Sequence, residues 1–135
     1  MDMQVLVATE ELGKIASVTE CLRLSDTLGL VAVALIWDDE CMSWQLIVAS
    51  TLHQTNGPLS AYKEIQECYT REDTGLRLDQ ISSLPANDPL PIALTKSGLE
   101  PLREDEYYRS MSGFLYEDIY IPKLIIFFTS ELAMP

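Results

Sequence analysis

The 135-residue sequence predicts an α+β fold, in which a mostly antiparallel sheet is built on a central β-hairpin and carries three helices. Two apolar, β-branched runs close on each other across a short acidic turn between residues 30 and 51, which predicts the hairpin. Helix-start signals at residues 57–58 and 88–89 separate further strand-like segments, which predicts helices interspersed with the sheet. The predicted element order is αββαβαββ, in a single domain of residues 1–135.

The register of the hairpin follows from the length of its turn. A four-residue turn over residues 39–42 places Trp37 opposite Trp44 and Val33 opposite Val48. Side chains alternate across a strand, so the large residues share one face, the tryptophan face. We expect a helix layer on that face, and either a second layer or a partner chain on the opposite one. The opposite face, called the alanine face, carries Ala32, Ala34, Ile36, Gln45, Ile47 and Ala49.

The helices and remaining strands follow from capping and turn residues. Thr9 as N-cap and Gly29 beyond the end predict a first helix over about 10–26. The Asn-Gly-Pro and Asp-Pro signals predict helices over 58–70 and 89–97. Alternation and apolar runs predict strands near 76–81, 107–111, 116–121 and 123–129, with a turn at 112–113 and an edge or bulge at Pro122.

The charge balance limits the classes of partner. The formal net charge is -12 and the isoelectric point is near 4.2. Because phosphate binding needs clustered Lys and Arg, direct nucleic-acid binding is not expected. A basic protein partner is expected instead, since the negative charge of the chain attracts it. No membrane association is expected, since the N-terminus lacks a basic signal region and the longest apolar run, residues 28–37, is about half the length that spans a bilayer.

The cysteines and histidine predict no metal or redox chemistry. Cys21, Cys41 and Cys68 are odd in number and far apart, which predicts reduced thiols, no disulfide and a cytoplasmic protein. His53 is the single histidine and belongs to no recognisable catalytic signature. The glycines form no nucleotide-binding loop, so no cofactor is predicted.

The acidic runs are interpreted first as solvated surface. Asp38, Asp39 and Glu40 lack the alternating oxygen ligands and the glycine of a calcium loop. The first functional hypothesis is therefore a non-enzymatic interaction or accessory protein, of immunity or inhibitor type, that binds a basic protein partner. The predicted interaction surface consists of Asp38, Asp39, Glu40, Glu104, Asp105, Glu106, Tyr107 and Tyr108.

Two further hypotheses belong to other classes. The second is a small-ligand-binding domain or hydrolase, with a site formed by His53, Tyr62 and Asp38 between the hairpin and the second helix. The third is a homodimer joined through the alanine face or through the C-terminal strand. The sequence favours a non-enzymatic protein, because no set of nucleophile, base and orienting group stands in a known pattern.

Two segments carry a resemblance to a known family. These are VALIWDDECMSWQLIVASTLHQTNGPLSAYKEIQ, residues 33–66, and YEDIYIPKL, residues 116–124. They resemble an uncharacterised family of small bacterial proteins with a Trp-turn-Trp β-hairpin, a Gly-Pro helix start and a late Tyr-Ile-Asp-rich strand. The resemblance implies the fold and a prokaryotic, cytosolic origin, and it implies no activity.

Overall fold

The computed structural model describes residues 9–70, 80–96 and 106–130. These residues form the α+β arrangement that the sequence predicts, with four helices rather than three. The helices are α1 (Thr9–Arg23), α2 (Thr51–Asn56), α3 (Pro58–Tyr69) and α4 (Pro89–Lys96). The strands are β1 (Leu30–Asp38), β2 (Ser43–Ser50), β3 (Ile81–Pro85), β4 (Arg109–Tyr116) and β5 (Ile119–Thr129).

The five strands form one sheet in the order β3-β2-β1-β5-β4. Only β2 and β3 run parallel, joined by the α2–α3 crossover, so the sheet is mostly antiparallel as predicted. The predicted hairpin register is confirmed: Trp37 lies opposite Trp44, and Val33 opposite Val48. The two indole rings pack edge to face with their centroids 5.6 Å apart, a geometry that aromatic pairs prefer.

Helices of the same chain cover both faces of the hairpin. On the tryptophan face, α1 and α3 enclose a core that includes Leu35 and Leu46. On the alanine face, α4 packs against β1 and β5, and its Ala93 joins a cluster with Ala32 and Ala49. Small side chains on both surfaces let the helix approach the sheet closely, so the alanine face seats a helix of the same chain.

The short helix α2 is absent from the sequence prediction, which leaves its residues as a loop. Its first turn is fixed by Ser50, whose Oγ accepts a hydrogen bond from the backbone N–H of His53 at 3.2 Å. Gly57, with φ +90°, then separates α2 from α3. The strand predicted at 76–81 lies largely outside the described residues, and β3 begins at Ile81.

The predicted turn at residues 112–113 is wrong, because β4 continues through it to Tyr116. The chain reverses instead at Glu117, which has φ +54°. Gly113 has φ +71°. The next residue, Phe114, pairs with Ile121, which directly precedes Pro122 on β5. The positive φ interrupts the side-chain alternation, so apolar residues on both sides of the glycine turn towards the alanine face. Pro122 therefore marks a bend inside one continuous β5.

The prediction that all three cysteines are reduced is also wrong. Cys21 of α1 and Cys68 of α3 form a disulfide, with their Cα atoms 5.7 Å apart and a sequence separation of 47. The pairing arises because the two helices pack side by side on the tryptophan face, and sequence spacing does not show it. Cys41 is a free, exposed thiol in the β1–β2 turn.

Candidate functional site

Two acidic turns lie at the same end of the sheet. β1 ends at the turn that contains Asp38, Asp39 and Glu40, and β5 begins after the turn that contains Glu117 and Asp118. β1 and β5 are antiparallel neighbours whose last pair at this end joins Ile36 to Leu124, and β5 extends further past this pair than β1 does. We call these five residues the acidic end.

The first of these turns is built by its own carboxylates. Asp38 Oδ1 accepts hydrogen bonds from the backbone N–H groups of Glu40 at 2.9 Å and Cys41 at 3.3 Å, an Asx-type turn. Asp39 Oδ1 accepts from Trp37 Nε1 at 2.7 Å. A hydrogen bond between the Cys41 thiol and Asp38, together with the negative charge of that carboxylate, raises the pKa of the thiol. The turn therefore holds its negative charges in fixed positions.

Large apolar side chains are exposed beside the acidic end. Leu115 of β4 and Tyr120 of β5 form a cross-strand pair next to the second turn and are 66% and 61% exposed. Met42, in the first turn, is 49% exposed. Aromatic and apolar residues next to charges are typical of protein interfaces, so the acidic end carries both kinds of contact.

Among the described residues, no strand pairs with the outer edge of β4. Within the part of the chain that the structure describes, β4 pairs with β5 alone. Ser110, Ser112 and Leu115 are exposed along this edge. An edge strand presents a row of N–H and C=O groups to which another strand can pair.

The second half of the predicted interaction surface lies elsewhere. Glu106 forms an ion pair with Arg109 at 2.7 Å, Tyr107 is 72% exposed, and Tyr108 packs against Phe127 with ring centroids 6.0 Å apart. These residues precede β4 at the end of the sheet opposite to the acidic end. Glu104 and Asp105 lie outside the described residues.

The alternative site is a small polar cluster between α2, α3 and β3. The Nδ1 atom of His53 lies 2.7 Å from the Oγ of Ser83, and either atom is a competent donor depending on the tautomer. The hydroxyl of Tyr62 donates to the carbonyl of Ile81 at 2.8 Å and accepts a long contact from the N–H of Ser83 at 3.4 Å. The structure thus brings His53 and Tyr62 together through Ser83.

Asp38 does not join this cluster. It pairs with Ser43, whereas His53 follows Ser50 at the other end of β2. The seven-residue offset along the strand corresponds to roughly 23 Å. The described residues also contain no group of three or more His, Cys, Asp or Glu side chains that could hold a metal ion.

A cavity of about 220 Å³ opens beside Tyr62, and its lining is mainly apolar. The helix α3 and the start of β3 form its walls. A small apolar ligand is the class that such a lining favours. The lining residues are Tyr62, Ile65, Gln66, Tyr69 and Ile81.

Sequence reasoning missed Ser83 and the second acidic turn. The Ser83 position carries no signal, because a lone serine in a short strand is unremarkable until the fold sets it against His53. The Tyr-Glu-Asp-Ile segment at 116–119 does carry a signal, since two acids between alternating apolar residues mark a hairpin turn. The predicted strand over 116–121 hid it.

Comparison with models of protein families, with curated proteins and with solved structures found no match for this chain. The resemblance to an uncharacterised bacterial family stays a prediction.

Proposed function

We propose that the protein is a non-enzymatic accessory protein of immunity or inhibitor type, which binds a basic protein partner through the acidic end of its sheet. The observation that carries this proposal is the location of two acidic turns at one end of the sheet, the second of them next to the exposed pair Leu115 and Tyr120. Charge would guide the partner to this end and fix its orientation, and the apolar pair would supply buried contact area.

The distribution of charge supports the same end of the molecule. The ion pairs of residues 9–70, 80–96 and 106–130 are Glu20–Arg23 and Glu106–Arg109, and neither involves an acidic-end residue. With a chain charge of -12, the field at this end attracts cations over distances near the Debye length, about 10 Å at moderate salt. Association with a basic partner should therefore weaken as salt is added.

Neutralising selected carboxylates tests the proposal. The acidic-end variant combines Glu40→Gln, Glu117→Gln and Asp118→Asn, and leaves the turn-forming Asp38 and Asp39 in place. A control variant of equal net charge combines Glu11→Gln, Asp26→Asn and Glu67→Gln on the helical side. Each protein is used at low and high ionic strength to recover partners from the cells in which it occurs.

The expected result is a basic partner that is retained by the wild type and the control at low ionic strength and lost with the acidic-end variant. Recovery of the same partner by the acidic-end variant would show that binding occurs elsewhere. Recovery of no partner by the wild type at low ionic strength would contradict the proposed function itself.

The second candidate function is a small-ligand-binding site or hydrolase at His53. It is favoured by the 2.7 Å contact between His53 Nδ1 and Ser83 Oγ, the arrangement of a base and a nucleophile. Hydrolysis of p-nitrophenyl acetate tests it. Activity should disappear in both Ser83→Ala and His53→Gln while the melting temperature changes little, and equal rates in all three proteins would remove this candidate.

The cellular location stays a prediction. None of the described helices is both long and apolar enough to cross a membrane. A disulfide such as Cys21–Cys68 is more typical of oxidising compartments than of the predicted cytosol. Trapping free thiols at the moment of cell lysis discriminates a cytosolic location from an oxidising compartment. In the cytosol the cysteine pair would be reduced and would react with the trapping reagent, whereas in an oxidising compartment the disulfide would leave it unreactive.

A further inference from the structure

Apart from the bend at Gly113, the β4 edge lacks, within the described residues, most of the features that usually protect an exposed strand. Natural edges are blunted by short length, Pro, Lys or a covering helix. β4 is eight residues long, contains neither Pro nor Lys, and carries its single charge at Arg109, which pairs with Glu106. In the described parts of the chain, β4 has no neighbour other than β5. Such an edge is suited to receive another strand.

Charge complementarity decides which strand would fit. β4 runs directly into Glu117 and Asp118, and the turn with Asp38, Asp39 and Glu40 lies at the same end of the sheet, on the far side of β5. The cations of the β4–β5 pair, Lys123 opposite Ser112 and Arg109 at the start of β4, lie away from the turn, so the negative charge is concentrated at the turn. A second copy of the chain would bring a further charge of -12 and be repelled, whereas a basic segment would be attracted.

We propose that an extended basic segment of the partner adds to the β4 edge as a further strand of the sheet, a deeper statement that rests on the proposed function. Backbone hydrogen bonds along β4 provide affinity. Lys or Arg at the end of the segment beside Glu117 and Asp118, and an apolar residue beside Leu115, provide specificity. The partner is thus recognised by an alternating basic and apolar extended stretch.

Synthetic peptides test the mode of binding on the intact chain. The probe is a short peptide of alternating lysine and valine. The first control is the same peptide N-methylated on its central amides, which keeps every charge and side chain but removes the backbone donors. The second control replaces each lysine by glutamate. Amide hydrogen exchange and chemical shifts are followed residue by residue.

The expected result is binding of the lysine peptide with at least about tenfold slower exchange of amides in Ser110–Leu115. The N-methylated peptide should bind at least about tenfold more weakly, the equivalent of one or two lost hydrogen bonds. The glutamate peptide should not bind.

Three outcomes would overturn strand addition, and each has a different meaning for the proposed function. Equal binding of the lysine and N-methylated peptides, with shifts at the acidic end and no protection of β4, would leave charge recognition standing without strand addition. Absence of binding by any peptide at low ionic strength would count against both. Protection of β4 without peptide, rising with protein concentration, would show that a second copy occupies the edge.

Discussion

The two edges of the sheet are treated in opposite ways by the same chain. β3 is five residues long and ends at Pro85, and the hydroxyl of Tyr62 contacts the carbonyl of Ile81 and the N–H of Ser83 on its outer side. β4 is eight residues long, and no described residue outside β5 pairs with it. One edge is closed by a side chain of its own domain, and the other is open as far as the described residues extend.

The difference follows from how each strand is connected. β3 runs parallel to β2, and a parallel pair requires a crossover, which here brings α3 and Tyr62 against the new edge. β4 is joined to β5 by a tight turn, which brings no covering element. Tyr62, which the sequence marked for a ligand site, therefore has an evident structural role as the cap of an edge.

The largest expected effect comes from removing the disulfide that fastens α3, the helix that closes the β3 edge. The bond joins residues 47 apart, and the loss of such a cross-link should lower the free energy of unfolding by about 4 kcal/mol. Urea unfolding of the Cys21→Ser, Cys68→Ser double variant measures the loss. Cys41→Ser is the control, and an equal, small change in both proteins would contradict the stabilising role.

The next largest effect is expected at Gly113, which bends the open β4–β5 hairpin. A Cβ at this position would meet no atom within 4 Å, so the cost of Gly113→Ala is the positive φ alone, about 1–2 kcal/mol. Gly13→Ala in α1 is the matched control, because it is equally free of contacts and should stabilise by about 0.5–1 kcal/mol. Thermal unfolding that shifts both variants in the same direction would show that the bend is not what matters.

Removing one oxygen atom, that of the Tyr62 hydroxyl, should uncover the β3 edge. Tyr62→Phe removes the hydroxyl that serves Ile81 and Ser83, and should cost about 1 kcal/mol of unfolding free energy because these backbone groups lose a partner. The Ser83 amide should then exchange faster. Tyr120→Phe, on an exposed ring, should stay within about 0.5 kcal/mol of wild type, and similar losses for both variants would refute the capping role.

The smallest expected effect is a change in the alkylation rate of the Cys41 thiol, which lies in the acidic turn. Because the hydrogen bond with Asp38 and its charge raise the pKa of Cys41, less thiolate is present at neutral pH and alkylation by iodoacetamide should be slower than for a free cysteine. The rate should rise at lower pH in Asp38→Asn than in wild type. Identical pH profiles would show that the turn does not hold its charge near the sulfur.

The sequence predicts the hairpin well because two apolar, β-branched runs flank a short acidic turn. Trp37 opposite Trp44 follows from a four-residue turn, and the structure has that pairing. The α+β class and the mostly antiparallel sheet follow from the same local signals. The acidic turn at Asp38 is predicted for the same reason, since it lies between two strands with strong apolar patterns.

The remaining features depend on contacts between distant segments. The disulfide needs α1 and α3 side by side, and Ser83 meets His53 only after β3 docks beside β2. Gly113 looks like a turn residue, yet Pro122 on the adjacent strand and the positive φ combine into a bend. Local pattern cannot distinguish a bend from a reversal, and the second half of the acidic end was therefore hidden.

Amide exchange of the free protein tests the central claim, that the β4 edge is open while the β3 edge is closed. The account predicts that Ser83 at the β3 edge exchanges slowly, and that alternate amides in Ser110–Leu115, those that face away from β5, exchange at nearly the rate of an unstructured chain. Uniform protection along β4 in dilute, monomeric protein would show that the edge is already covered, and would contradict both the open edge and the strand addition built on it.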